Sequence, residues 1–279
     1  MSNTTNTKQQ QYATSVLMAM DTLKSAGLKK MAEKGNAKGG ESYTWYRKKK
    51  AEVQDNIPSM FSGTASQGGD FDKFVATISQ ISSQEKLPES DMLKTKLDLK
   101  SPIISSMTNA ILNEEDRKII TEISGATGLA TAGDATKTVD DIKNIKLLIQ
   151  KVRLAHIWAR NGIDQKKGVA IAMNEEDYSV LASSETFIHK DYEGAFRGGT
   201  GDTPLSFYGA EITISEVVPK GTIYIIPSYT FGFAEWENSV TTDMVFMPTD
   251  GRRWHLQITK SLGVKVIEPT KITKFTFKV

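Results

Sequence analysis

Apolar residues recur along this chain with two periods, and the period switches mark its elements. From Gln11 to about Met31, Val16, Leu17, Met20, Leu23, Ala26 and Leu28 follow helical spacing. Gly35 and the Gly39-Gly40 pair end that segment. Ser42 to Tyr46 favours a strand. Pro58, Gly63 and Gly68-Gly69 follow, with Ser, Thr and Gln between them, a long polar stretch with few apolar anchors. Phe74, Ala76 and Ile78 alternate with Val75 and Thr77, and Ile81 continues the pattern, so a second strand is expected. Two strands joined by a long polar loop make an extended hairpin. Such a hairpin cannot bury a core of its own and needs something to lie against.

Ser101 and Pro102 open the clearest helix, with Ser as N-cap and Pro where its missing N–H costs nothing. Its stripe is Ile103, Ile104, Met107, Ile111, Leu112, Ile119, Ile120 and Ile123. Glu114 and Lys118 stand in the favourable i,i+4 order, and Gly125 ends the helix. Gly125 to Thr136 reads as a surface loop. Thr138 is expected to cap the next helix, with Asp140 and Asp141 in its first turn and Ile142, Ile145, Ile149, Val152 and His156 as its stripe. Val169 to Met173 reads as a buried strand, and Asn174 as the cap of a third helix carrying Tyr178, Val180 and Leu181. Gly194 to Gly209 is glycine-rich and irregular. Glu211–Val218 and Thr222–Ile226 are expected strands, joined by a turn with Pro219 at its second position and Gly221 at its fourth. The remainder is strand-rich, with alternation over Leu256–Ile267 and Ile272–Val279. The class is α+β.

Composition narrows the functions. At 279 residues, 39% hydrophobic and 24% charged, the chain has globular proportions and length enough for a core without staples. A formal net charge of +2 does not by itself argue for a polyanion partner. Cysteine is absent, which excludes disulfides, thiolate metal sites and cysteine nucleophiles and suits a reducing cytoplasm. No apolar run approaches the roughly 20 residues of a membrane span. The polar start, MSNTTNTKQQQ, lacks a signal-peptide core and reads as a disordered tip, so the protein is expected to be soluble and non-secreted. No fixed-period repeat is visible.

Catalytic constellations are not found. "GAFRGGTGD", with Gly194, Gly198, Gly199 and Gly201, lacks the Lys-Ser/Thr of a phosphate loop and is not framed by strand and helix. His156, His189 and His255 have no partner at metal-ligand spacing. Glu114-Glu115 and Glu175-Glu176 are adjacent on helices and do not face each other. Trp158, Trp236 and Trp254 read as core or interface. No cofactor, metal or catalytic residue is assigned, and the protein is not expected to be an enzyme.

Candidate chemistry concentrates in "GGESYTWYRKKKAEV", Gly39 to Val53. Aromatics beside Arg47, Lys48, Lys49 and Lys50 fit a nucleic-acid patch, but an arm gripping a neighbouring protein is the favoured reading. In a strand, Ser42, Thr44 and Tyr46 point to one side, and Tyr43, Trp45 and Arg47 to the other. Tyr43 and Trp45 are the expected anchors on a neighbour. Arg47 to Lys50 would meet that neighbour's acids or stay in solvent. Gly39 and Gly40 read as the hinge into the hairpin, and Gly63, Gly68 and Gly69 as its flexible tip.

The order of elements resembles the major capsid proteins of tailed double-stranded DNA phages, the shell fold of a Hong Kong lambdoid phage shared by encapsulin nanocompartments. The residues that carry the resemblance are "GVAIAM", "NEEDYSVLASSETFIHKDYEG", "FYGAEITISEVVPKGTIYIIPSYTFGFA" and "HLQITKSLGVKVIEPTKITKFTFKV", after the helix Thr138–Arg160. More loosely, "QYATSVLMAMDTLKSAGLKKMA" looks like a helical N-terminal arm of one capsid subgroup.

The resemblance implies an N-terminal arm (1–40), an extended hairpin called the E-loop (41–84), and a peripheral domain with a spine helix (85–138). It further implies an axial domain (139–235) and closing strands of the peripheral domain (236–279). It also implies self-assembly as pentamers and hexamers into an icosahedral head around the phage genome. The implied partners are copies of itself, a separate scaffolding protein, a portal protein, a decoration protein and non-specifically contacted DNA, with no membrane. The implied location is the virion, assembled in the host cytoplasm. No charged helical pro-segment precedes the arm, so a fused scaffolding domain is not expected unless it has been removed. The family's Lys–Asn cross-link finds no assignable residues and is not carried over. Lys8, Lys24, Lys29, Lys30, Lys34 and Lys38 make the arm basic, which suits either DNA or a solvated helix face. An encapsulin-like compartment and a nucleic-acid-binding module remain alternatives.

Overall fold

Two sheets, one against the helix Pro102–Gly125 and one against the helix Ile142–Arg160, hold the two larger apolar cores. The computed structural model describes residues 10–18, 28–48, 71–94, 102–160, 168–183, 196–197 and 206–278. The elements are α1 (10–18), β1 (Glu33–Ala37), β2 (Ser42–Lys48), β3 (Phe71–Thr77), β4 (Ser79–Pro88), α2 (Glu89–Lys94), α3 (Pro102–Gly125), β5 (Ala130–Ala132) and α4 (Ile142–Arg160). They continue as β6 (Val169–Met173), α5 (Glu175–Ala182), β7 (Phe196–Arg197), β8 (Ser206–Phe207), β9 (Ala210–Ile214), β10 (Thr222–Pro227), β11 (Phe231–Met247), β12 (Arg253–Val266) and β13 (Thr273–Thr276).

The first sheet runs β1-β11-β12-β4, with β1 parallel to β11 and the other pairs antiparallel. The stripe of α3 packs Ile104, Met107, Ile111, Ile119 and Ile120 into the core that holds Phe231, Phe233, Leu256, Ile258 and Leu262. Tyr12 and Val16 of α1 close it, and the Tyr12 hydroxyl donates to the Gln257 carbonyl at 3.3 Å. The second sheet runs β5-β13-β10-β6-β9-β8-β7. Here α4 packs Ile145, Leu148, Ile149, Val152 and Ala155 with Ile171, Met173, Ile223, Ile225 and Phe275. Every residue of β6 is buried, as its unbroken apolar run predicts. Residues 236–279 contribute to both sheets, because β13 pairs with β10 while β11 and β12 build the first sheet.

Several local expectations change. Residues 33–37, within the expected arm 1–40 and past its helical segment, form β1, and Leu28–Met31, expected to end that helix, is a single 3-10 turn. β1 carries almost no apolar signal, since its place at the sheet edge comes from parallel pairing with β11. The expected loop 125–136 contains β5, a short edge strand along β13. α4 starts at Ile142 rather than after Thr138, because the Asp141 carboxylate accepts from the Lys143 N–H at 2.9 Å and caps the helix there. Ile142 is consequently exposed. Glu114 reaches Arg117 at 3.1 Å, three residues on. The β9–β10 turn closes with the Thr222 N–H on the Pro219 carbonyl, which places Pro219 first and Gly221 third, at φ +75°. The Asn174 cap is as expected, accepting from the Glu176 N–H at 3.1 Å. The tip expected at residues 1–11, the hairpin loop at 49–70 and most of Gly194–Gly209 lie wholly or mainly outside the described residues.

Candidate inter-subunit surface

The hairpin is anchored by two aromatic rings lying on two glycines. β2 and β3 pair antiparallel, with Ser42 opposite Thr77 and Lys48 opposite Phe71. Their inner face carries Tyr43 and Trp45, whose rings meet edge to face at 4.8 Å. Trp45 lies on Gly232 of β11, where an added Cβ would stand 2.5 Å from the indole. Tyr43 lies on Gly35 of β1, where an added Cβ would stand 2.5 Å from the phenol ring. A glycine inside a strand weakens it unless something approaches closely, and here the aromatics do. Ala37, Ala76, Ala234, Trp236 and Ile267 complete this small core.

Polar contacts fix the same join. Arg47 donates to the Glu33 carboxylate at 2.7 Å and to the Tyr229 carbonyl at 2.9 Å. The Trp236 indole N–H donates to the Gly40 carbonyl at 2.8 Å. Gly39 and Gly40 have φ of +85° and +80°, a region L-residues seldom adopt, so the chain turns into β2 there. The Ile78 N–H donates to the Glu41 carbonyl at 2.9 Å and closes the base of the hairpin.

Trp45 is therefore not offered to a neighbour: it is only 4% exposed and spends its surface within its own chain. Tyr43 is half-buried on the same face, and Arg47 has its acid, Glu33, in its own chain. The alternation of sides holds, but the body lies against the Tyr43 side. The outward face carries Tyr46, Phe71 and Val75, which are 60%, 51% and 47% exposed. An isolated strand pattern gives the parity of its sides and not which side meets the body. The signal that settles it is the pair of strand glycines, Gly35 and Gly232. The side chain of Lys48, with Lys49, Lys50, Gly63, Gly68 and Gly69, lies outside the described residues.

A buried charge network stands behind the join. Lys260 of β12 bridges Glu115 of α3 and Glu235 of β11, the latter at 2.7 Å. Lys29 reaches Glu235 at 2.6 Å and lies over the Phe233 ring. Burial pushes the Lys260 ammonium down, but Glu115 and Glu235 outweigh it and hold its pKa above the usual value. Burial pushes the Glu235 carboxyl up, and Lys260 and Lys29 outweigh that, holding it low. Beside them, Asp116 accepts from the Leu28 N–H at 3.0 Å, and burial raises its pKa to about 6. Lys30 pairs with Glu211 of β9, and the Tyr229 N–H donates to the Met31 carbonyl at 2.8 Å. The turn Leu28–Met31 thus ties α3 to both sheets. Among the described residues no cluster of His, Asp and Glu is arranged to hold a metal ion. No described helix is long and apolar enough to cross a membrane.

Comparison with known proteins places this architecture. No family model and no curated protein matches the sequence. Solved structures match nearly the whole chain. The virus-like particle from Pyrococcus furiosus aligns over 94% of this chain and 96% of its own, with TM-score 0.62 at 13% identity. The capsid of a native gene transfer agent (GTA) particle aligns over 92% of each chain, with TM-score 0.62 at 12% identity. The capsid of cyanophage P-SCSP1u aligns over 88% of this chain and 86% of its own, with TM-score 0.60 at 13% identity. At such identities the likeness is one of fold: the chain has the α+β fold of tailed-phage major capsid proteins.

Proposed function

We propose that this protein is a structural shell subunit, not an enzyme, which assembles as pentamers and hexamers into an icosahedral head enclosing phage double-stranded DNA. The observation that carries the reading is the two-sided hairpin. One face is clamped to its own body, and the other holds Tyr46, Phe71 and Val75 in solvent, where a monomer gains nothing from them. Hairpins held out this way suit heterologous contacts, which close into rings when the rotation closes. In this reading the hairpin is the E-loop, α3 is the spine helix of a peripheral domain, and the sheet under α4 belongs to an axial domain. A scaffolding protein, a portal and a decoration protein are its further partners, and the virion, formed in the host cytoplasm, its location.

Tyr46→Glu tests this. The side chain is exposed, so the monomer melts within a few degrees of the parent, while shell yield falls at least tenfold. Normal shells from that variant would refute the assigned face. The likeness to the Pyrococcus furiosus particle favours one second reading, an encapsulin-like compartment. Closure into uniform shells without any scaffold separates the two. Salt-sensitive binding of monomer to short DNA, centred on Arg47 to Lys50, would instead support a nucleic-acid module.

A further inference from the structure

The outer surface of α4 is built for something the two cores do not use. Between Ile142 and Arg160 the helix carries Lys143, Lys146, Lys151, Arg153 and Arg160 and no acid. Its buried stripe is consumed by the second sheet. Its opposite stripe, Lys146, Gln150, Arg153 and Ile157, is exposed at spacings of four, three and four residues. Three turns of helix, roughly 16 Å, therefore face solvent as one line.

That line borders a groove of about 480 Å³. Leu154 and Ile157 supply its exposed apolar lining, with the core residue Ile149 beneath them and Tyr208 also lining it. Arg153 lies over the Tyr208 ring at 5.6 Å, which holds the guanidinium at the rim. Ile157 is 55% exposed and lies beside the half-buried Leu154, so the two form a small apolar patch among the cations.

We propose that this groove docks an acidic, amphipathic helix from a separate protein. The apolar lining asks for apolar side chains recurring at helical spacing, the arrangement by which a helix lies in a groove beside another helix. The rim asks for carboxylates, since Lys146 and Arg153 have no acid on their own helix. A DNA duplex would satisfy the cations but would cover Leu154 and Ile157 with nothing apolar. The inference goes beyond the shell reading and stands on the surface of α4 alone.

Fluorescence anisotropy of the full chain tests it. The probe is a labelled peptide of about fifteen residues, four helical turns, with leucines on one face and glutamates elsewhere. A scrambled peptide and a short DNA duplex serve as comparisons. The ordered peptide binds most tightly, and Ile157→Asp and Arg153→Glu each weaken it about tenfold. Val180→Asp, an exposed position on α5, leaves binding unchanged. Equal binding of the scrambled peptide, preference for the duplex, or indifference to Ile157→Asp would overturn the proposal. Shell assembly does not enter the readout, so its failure would leave this result standing.

Discussion

Gly232→Ala is the most informative single change, because it adds one methyl where the hairpin meets the body. The added Cβ would stand 2.5 and 2.6 Å from two indole atoms of Trp45, closer than real carbon contacts occur. Gly232 is not at positive φ, so the cost is steric rather than conformational. It lies in β11 between β1 and β12, so its backbone cannot retreat without breaking paired strands. The indole must move instead. Burying a tryptophan removes about 150–250 Å² from water, and at about 25 cal/mol per Å² this amounts to roughly 4–6 kcal/mol. Observed Trp→Ala losses of about 3–5 kcal/mol agree with that. The indole N–H of Trp45 has no acceptor among the described residues, which trims the gain further.

We therefore expect Trp45→Ala to cost about 3–4 kcal/mol and Gly232→Ala about 2–3 kcal/mol. The double variant should cost little more than Trp45→Ala alone, because the methyl then enters the space the ring left. Urea unfolding of the unassembled chain measures the cycle, and hydrogen exchange of the β2 and β3 amides locates it. Full additivity, or unchanged protection of the hairpin amides in Gly232→Ala, would refute the anchoring of the hairpin by this contact.

Two further predictions concern the charges behind the join. Asp116 binds its proton more tightly folded than unfolded, so stability falls as pH rises from about 4 through about 6. Asp116→Asn keeps the oxygen that accepts from Leu28 and should stabilise by about 1–3 kcal/mol at pH 8 with little effect at pH 4; a loss at pH 8 would contradict the burial argument. Lys260→Met leaves Glu115 buried beside a more distant Lys29 and should cost about 3–5 kcal/mol. Adding Glu115→Gln should restore part of that in thermal melts, and a further loss would show that the pair is not the cause.

Where burial follows a local period, the elements were readable from sequence. The α3 stripe from Ile104 to Ile123, the all-apolar β6 and the Asn174 cap are such cases. β1 was not, because Glu33–Ala37 has no alternation of apolar side chains, and its place is set by parallel pairing with β11 and by long-range contacts with the hairpin. The sequence shows Glu115 only as the helix neighbour of Glu114 that does not face it; it lies on the buried side of α3 and meets Lys260 from β12, 145 residues later in the chain. Tyr43 and Trp45, expected on a neighbour, face the chain's own body for a similar reason. Alternation separates Trp45 from Tyr46 but is symmetric between the two faces, and only the long-range approach to Gly232 breaks that symmetry.

The central claim is that this chain closes into shells. Electron microscopy of the purified protein, alone and with a co-expressed scaffolding protein, measures it directly. Closed particles of uniform size are the expected result. A chain that stays folded and monomeric under every condition, with Tyr46, Phe71 and Val75 still in solvent, would contradict it.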